Sequence, residues 1–175
     1  CNPGIGRKGQ NMTAETITIR TATPADIPVL ASLIREAFRD PATRFGLTPE
    51  NCPTHPSNCT EQWITGDLAR NIIYYILDRN DRAVGCVALE KAVPDHWYLE
   101  RLAVLPAFQG QGHGTALVRH VVTQAKIGGA KYLSIGIIAG DTALKNWYLK
   151  RDFLEGQTRK FDHLPFRVLF MTRAL

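Results

Sequence analysis

The spacing of apolar and polar positions predicts both strands and helices along the chain. β-branched residues alternate with other side chains over 16–21, as they do in a strand. Thr23 and Pro24 then predict the cap and the first position of a helix, whose apolar stripe continues as far as a terminating Pro41. Prolines interrupt 42–60, which predicts a long irregular loop, and such loops in compact domains are often functional.

The remaining elements follow from the same two periodicities. The predicted helices cover 61–70, 115–126 and 142–151, and the predicted strands cover 72–78, 83–93, 97–104, 131–139, 153–161 and 166–172. Short turns at 79–82 and at Pro94-Asp95 predict antiparallel hairpins, whereas the strand, helix and strand between 97 and 139 predict a right-handed βαβ unit. We therefore expect an α/β fold with a central mixed, mostly antiparallel sheet and helices on both faces.

Length and composition fit one domain. The 175 residues are enough to bury a core, and 45% hydrophobic and 21% charged residues are ordinary for a globular protein. Residues 1–12 are rich in Gly and polar residues and show no periodicity. We expect them to be a disordered leader or an extension left from expression, followed by a single domain over 13–175.

Charge and cysteine content narrow the functional classes. The formal charge of +5 would help to hold an anionic ligand, but Lys and Arg form no dense run, so we expect no nucleic-acid partner. No apolar run approaches the roughly 20 residues of a membrane span, so we expect no membrane partner. The four cysteines form no recognisable disulfide framework and the start lacks a secretory signal, so we expect a cytoplasmic protein.

The stretch QGQGHG at 109–114 places three glycines on alternate positions just before a helix. Amides at the start of a helix lack intrahelical partners, and the helix dipole adds partial positive charge there. Since glycine lets a phosphate lie against the main chain, the motif predicts a pyrophosphate cradle; a turn that binds nothing is the alternative. A Walker A loop and a dinucleotide fingerprint are both disfavoured, by the missing lysine before Thr115 and by the glycine spacing.

The wider stretch ERLAVLPAFQGQGHGTALV resembles the acetyl-CoA-binding motif of the GCN5-related N-acetyltransferase (GNAT) family. Gln109, Gly112 and Gly114 stand at the positions of its Q/R-x-x-G-x-G/A pattern. The later stretch DTALKNWYLKRDF is similar to the family's usual helix and strand start, except for Asp141 where Asn is common and Asp152 where Gly is common. The first departure puts one polar contact to the cofactor in doubt, and the second indicates a less permissive turn. The resemblance implies a single-domain GNAT-like fold in which the βαβ unit binds acetyl-CoA, without a metal.

The resemblance also implies which residues bind this co-substrate. Backbone groups of Leu102, Ala103 and Val104 are expected to pair with the pantetheine arm as an extra strand would, and Gln109 is expected to flank the pyrophosphate. The amides expected to hold the pyrophosphate are those of Gly110, Gln111, Gly112, His113, Gly114 and Thr115. Asn146 is expected to reach the cofactor from the following helix, with an ordinary exposed position as the alternative.

Acyl transfer from a thioester to an amine requires two proton movements, because the ammonium must lose a proton and the departing thiolate must gain one or be stabilised. Glu100 lies where some family members keep a carboxylate base. Burial beside Tyr98 and Leu102 would raise its pKa and suit it to this role, whereas pairing with Arg101 is the alternative. Tyr148 matches the family's tyrosine that donates a proton to the coenzyme A sulfur; the alternative is a packed aromatic side chain.

The predicted function is therefore acetyl-CoA-dependent N-acetyl transfer to a primary amine by direct attack in a ternary complex. The alternative is a non-catalytic acyl-CoA-binding or sensing domain, which would have no need of a phenol at Tyr148. The acceptor stays open among small-molecule and peptide amines, which include polyamines, amino acids, antibiotic amines and protein N-termini. The resemblance leaves a monomer and a homodimer both open.

Two further segments carry reactive side chains. Cys52, His55 and Cys59 lie in the proline-rich loop, but their spacing is not a standard zinc arrangement, so we predict a stiff lid over the acceptor pocket rather than a metal site. Asp162 and His163 lie in the turn between the last two strands. There they would attract a cationic amine or serve as an alternative base, and a purely structural turn is the other interpretation.

Overall fold

Seven strands form one sheet in the computed structural model, which describes residues 14–175. The strands are β1 (Ile17–Thr21), β2 (Ile73–Arg79), β3 (Arg82–Val93), β4 (His96–Val104), β5 (Tyr132–Ile138), β6 (Leu154–Lys160) and β7 (Arg167–Ala174). The α-helices are α1 (Ile27–Arg44), α2 (Glu61–Ala69), α3 (His113–Ile127) and α4 (Thr142–Leu149). The predicted leader at 1–12 lies outside the described residues.

The sheet has the order β1-β2-β3-β4-β5-β7-β6, which places β4 at its centre. Among the described strands only β4 and β5 run parallel, and the other pairs are antiparallel. This arrangement confirms the predicted mixed, mostly antiparallel sheet with one βαβ unit. The predicted β2–β3 hairpin is also present, and Asn80 and Asp81 in its turn both have positive φ, as a two-residue turn between twisted strands requires.

Helix α1 starts as predicted but continues further. The side chain of Asp26 accepts a hydrogen bond from the Thr23 amide at 2.8 Å, and a short 3₁₀ turn leads from this cap into the helix. The prediction that Pro41 ends the helix is wrong, because the helix passes through Pro41 to Arg44. Pro41 removes one helical hydrogen bond, but the buried Ala42 just after it packs against the rest of the protein and stabilises the last turn.

The helices cover both faces of the sheet, as predicted. One face carries α1 and α2, which pack through a cluster that includes Leu30, Ile64 and Tyr74. The opposite face carries α3 and the buried side of α4, which pack through a cluster that includes Leu117 and Tyr148. We call these the α2 face and the α3 face of the sheet.

A bulge in β4 separates its second half from β5. Pairing of the two strands covers only His96–Tyr98 against Tyr132–Ser134. Further along, Arg101 has φ of 50°, and the register between β3 and β4 shifts so that Val87 faces two β4 residues. An extra residue of this kind bends a strand and disrupts its ladder. Glu100, Ala103 and Val104 therefore remain paired to β3, but residues 100–104 have no partner on β5 in the described chain, and a gap opens between the two parallel strands.

The bulge also changes which side chains share a face. Alternation along a strand would place Glu100 and Arg101 on opposite faces. Glu100 is instead directly opposite Ala88, which belongs to the α2-face cluster, and Arg101 hydrogen-bonds to Tyr74 in the same cluster. Two consecutive charged side chains therefore project to the α2 face beside the gap.

Candidate active site

The second half of β4 offers a free backbone edge. Ala103 and Val104 are paired with Cys86 and Gly85 of β3, whereas the side toward β5 has no strand partner in the described chain and the Val104 carbonyl accepts only from the Gln109 side chain. An extended chain of amides can add to such an edge through strand-like hydrogen bonds. Leu102 lies on the same segment, so the three residues expected to bind the pantetheine arm all lie along the gap.

A 3₁₀ turn at Pro106–Phe108 and the glycine loop connect the free edge to the start of α3, and a Cβ on Gly114 would lie 4.0 Å from Val104 Cγ2. This helix begins at His113, two residues before the predicted start, because Gly112 rather than a later residue is its cap. Gly110 and Gly112 have φ of 72° and 85°, and a Cβ on either would meet open space, so their backbone conformation is what requires glycine. The first helical hydrogen bond joins the Ala116 amide to the Gly112 carbonyl at 3.0 Å, and the amides of 113–115 lack helical partners.

Side chains hold this glycine loop in shape. Gln109 Nε2 donates to the Val104 carbonyl at 3.0 Å, which ties the loop to the end of β4. Gln111 donates to the Ala107 carbonyl at 3.4 Å and accepts from Arg79 Nη1 at 2.5 Å. The loop amides are therefore arranged before a ligand arrives, and an anion at the helix start needs no large rearrangement.

Helix α4 closes the other side of this cradle, through residues that the sequence analysis did not single out. A Cβ on Gly114 would lie 3.2 Å from the Trp147 ring, so the helix and the ring are in close contact there. Arg151 stacks on Trp147 with 3.4 Å between its guanidinium carbon and the ring centroid, and its Nε donates to Thr115 Oγ1 at 3.1 Å. The stacked guanidinium adds positive charge beside the free amides.

Tyr148 is buried on α4, where its ring makes edge contacts with Trp147 and Phe153 at 4.9 and 5.3 Å between centroids. Burial raises the pKa of its phenol well above the usual value, so the hydroxyl keeps its proton at neutral pH. Asn146 is exposed on the same helix. Asp141 is committed to capping α4, because its carboxylate accepts from the Leu144 amide at 3.1 Å.

Asp152, the second departure from the family pattern, follows α4 with φ of 64°. This left-handed conformation is the one that glycine adopts without strain, and Asp is among the residues that tolerate it. The turn therefore keeps its shape without the glycine.

Glu100 lies against a second carboxylate on the α2 face. Burial is the main cause that raises its pKa to about 7, and hydrogen bonding to Glu90 on the neighbouring strand raises it further. Arg101 acts in the opposite direction and lowers it. A pKa near neutrality suits Glu100 to take up a proton during a reaction.

A buried ion network lies next to Glu100, and the sequence analysis missed it. Asp67 of α2 is 3% exposed, and its Oδ2 accepts from the Tyr74 hydroxyl at 2.6 Å and from Arg101. Its Oδ1 accepts from Arg70 Nη2 at 2.6 Å. One sequence signal could have indicated it: Asp67 lies three residues after the buried Ile64, on the helix face where an apolar residue is expected.

The other candidate residues lie in two connecting loops. Cys52, His55 and Cys59 are buried in a loop that packs on α1, and within 14–175 no cluster of three or more His, Cys, Asp or Glu residues could hold a metal ion. Asp162 and His163 are exposed in the β6–β7 turn. In the same described range, no helix combines the length and apolarity that a membrane crossing needs.

The family of the chain follows from its sequence. The model described as Acetyltransferase (GNAT) family matches residues 31–153, which is more than half of the chain. The chain therefore belongs to the GNAT family.

Three relatives illustrate the similarity. An amino-acid acetyltransferase of Neisseria meningitidis is 28% identical over 85% of this chain, which spans only 29% of that protein's length. The ribosomal-protein-S18-alanine N-acetyltransferase of Escherichia coli has 19% identity and a TM-score of 0.73, covering 91% of this chain and 94% of that one. An N-acetylglutamate synthase of Neisseria gonorrhoeae was solved with coenzyme A and N-acetyl-glutamate. It has 25% identity and a TM-score of 0.65, and the match covers 91% of this chain and 35% of that one.

Proposed function

We propose that this chain is an acetyl-CoA-dependent N-acetyltransferase that transfers the acetyl group to a primary amine by direct attack. The observation that carries the proposal is the continuity of the free β4 edge with the free amides at the start of α3. One extended molecule with a diamide arm and a diphosphate fits both features in that order. Leu102, Ala103 and Val104 would bind the arm, and the amides of 110–115 would bind the diphosphate.

The two proton-transferring groups would flank the gap from opposite sides. Glu100 projects to the α2 face, whereas Tyr148 belongs to the cluster on the α3 face. Acetyl-CoA supplies the thioester when it is bound between them. Glu100 takes a proton from the amine, directly or through water, as the amine nitrogen attacks the carbonyl carbon.

The C–N bond then forms and the C–S bond breaks. Tyr148 gives its phenolic proton to the departing sulfur, and a main-chain amide of 102–104 stabilises the negative charge that develops on the carbonyl oxygen. No side chain becomes acylated, so the amine and acetyl-CoA must be bound together. Cys86 is fully buried in β3, and burial raises the pKa of its thiol, which does not suit a nucleophile.

Release of free thiol from acetyl-CoA tests this proposal on the whole chain. We expect thiol release that depends on added amine, measured across amine classes, with one acetylated amine formed for each thiol. A binding or sensing domain would take up acetyl-CoA without amine-dependent release, and that result would contradict transferase activity. Release that forms an acetylated protein before the amine is added would contradict direct attack.

A further inference from the structure

We infer that the amine acceptor carries a carboxylate, as a free amino acid does, and that Arg70 and Arg101 bind this carboxylate. The inference rests on the proposed function, because it concerns the second substrate of the same site. A pocket of about 300 Å³ lies on the α2 face beside the β4 bulge. Its lining residues are Thr54, Gln62, Trp63, Gly66, Asp67, Arg70 and Arg101.

The charges of this pocket do not balance. It contains one carboxylate, Asp67, and two guanidinium groups, Arg70 and Arg101, so the lining has a net positive charge. Asp67 already accepts hydrogen bonds from both of them and from Tyr74, so its single negative charge is shared between the two guanidinium groups. The second positive charge has no partner in the lining, so the pocket would attract a ligand that carries a negative charge.

Both arginines keep donors available for a ligand. A guanidinium has five N–H groups in a planar fork that matches a carboxylate. In the described chain, Arg101 uses only its Nη1 for side-chain hydrogen bonds, to Asp67 and Tyr74, and Arg70 uses only its Nη2. Arg101 is also fixed against the Trp63 ring, with 5.8 Å between its guanidinium carbon and the ring centroid. Donors fixed in this way can form a bidentate pair at little cost in entropy.

The opposite charge lies immediately next to this pocket. Because of the bulge, Glu100 projects to the same face as Arg101, and Glu90 adds a second carboxyl there. An acceptor that spans the two groups would place its amine at Glu90 and Glu100 and its carboxylate at Arg70 and Arg101. This pattern favours an amino acid over a polyamine, which would bring only positive charges, and over a protein N-terminus, whose first carbonyl is an amide.

Paired acceptors give a direct test. Thiol release from acetyl-CoA would be measured with each of the common amino acids and with its carboxamide, which has the same side chain and amine but no carboxylate. We expect at least one amino acid to exceed its carboxamide in kcat/KM by about 30-fold or more, the range for hydrogen bonds to charged groups. The amine of a carboxamide is less basic, so more of it is unprotonated at neutral pH, and ionisation alone would give the opposite preference.

Arg70→Gln tests the assignment of the residue. Arg70 lies at the end of α2 with 67% of its side chain exposed, so the variant is expected to fold. We expect the preference for the acid over the carboxamide to fall by about 10-fold, through KM of the acid and not through kcat. Lys126→Gln removes the same charge from an exposed position near the end of α3, on the other face, and is expected to leave the preference unchanged.

Two results would overturn the inference and leave acetyl transfer standing: carboxamides or diamines that serve as well as the acids, or an unchanged preference in Arg70→Gln. Failure of the proposed function looks different, because then no amine of any class would release thiol. Equal losses of kcat/KM with acid and carboxamide in a folded Arg70→Gln protein would assign Arg70 a structural role and would also overturn the inference.

Discussion

Glu100→Gln is expected to lower kcat by about 100-fold or more, as the loss of a general base usually does. Glutamine keeps the size and polarity of the side chain but cannot take a proton from the amine. In the wild-type protein kcat/KM should rise with pH and level off above about 7, because the base acts only when deprotonated and its pKa is about 7. The variant should lack this rise, and rates measured over the pH range check both effects.

Unfolding measurements on Glu100→Gln and the second variant Glu90→Gln distinguish an effect on catalysis from an effect on folding. Because the pKa of Glu100 is raised from 4.5 to about 7, the folded state binds more protons than the unfolded state in this window. The free energy of unfolding therefore falls as pH rises through it, and Glu100→Gln should be at least as stable as the wild type above pH of about 7. Glu90→Gln removes the second carboxyl and should move the activity rise to lower pH. Full activity with an unchanged pH profile in Glu100→Gln would contradict the base role.

Tyr148→Phe is expected to lower kcat by about 10- to 100-fold and to leave the dissociation constant for acetyl-CoA nearly unchanged. Phenylalanine keeps the ring contacts with Trp147 and Phe153 and removes only the hydroxyl that would protonate the sulfur. Steady-state rates and calorimetric titration of the same preparation measure the two quantities.

Tyr75→Phe is the matched control for this change. Tyr75 is also buried in the cluster on the α3 face, and burial also raises the pKa of its phenol. Removal of the Tyr75 hydroxyl should not affect kcat. Equal losses of turnover and of acetyl-CoA binding in Tyr148→Phe would indicate that the residue acts by packing, and the acid role would then be wrong.

A glycine loop followed by a helix could be predicted from the sequence because its signals are local. The glycines, the cap and the following helix lie within one continuous stretch, and a short-range rule links each residue to its conformation. The start of α3 differed by two residues because the glycines before it do not by themselves indicate which of them is the cap. The sequence could not predict that α1 continues past Pro41. The burial of Ala42 stabilises the last turn, and this burial depends on tertiary packing.

The arginines proposed to bind the acceptor could not be predicted because their contacts are distant in sequence. Arg101 and Asp67 are 34 positions apart, and they meet only because α2 packs on this face of the sheet. The bulge then places Arg101 on the same face as Glu100, against the alternation that a regular strand would give. Strand periodicity alone cannot indicate such a site, and only the position of Asp67 on the buried side of α2 gives a partial signal.

Binding of acetyl-CoA is the most direct test of the central claim that the amides at the start of α3 hold the diphosphate. Calorimetric titration should give a dissociation constant between about 1 µM and 1 mM, the usual range for enzyme substrates. Gly112→Ala should weaken binding about 10-fold or more, since its Cβ would lie where the phosphate approaches the main chain. Gly129→Ala is the matched control, because Gly129 follows the other end of α3 with similar φ (91° against 85°) and equally open surroundings. Equal effects of the two variants, or no heat with millimolar acetyl-CoA and folded wild-type protein, would contradict the claim.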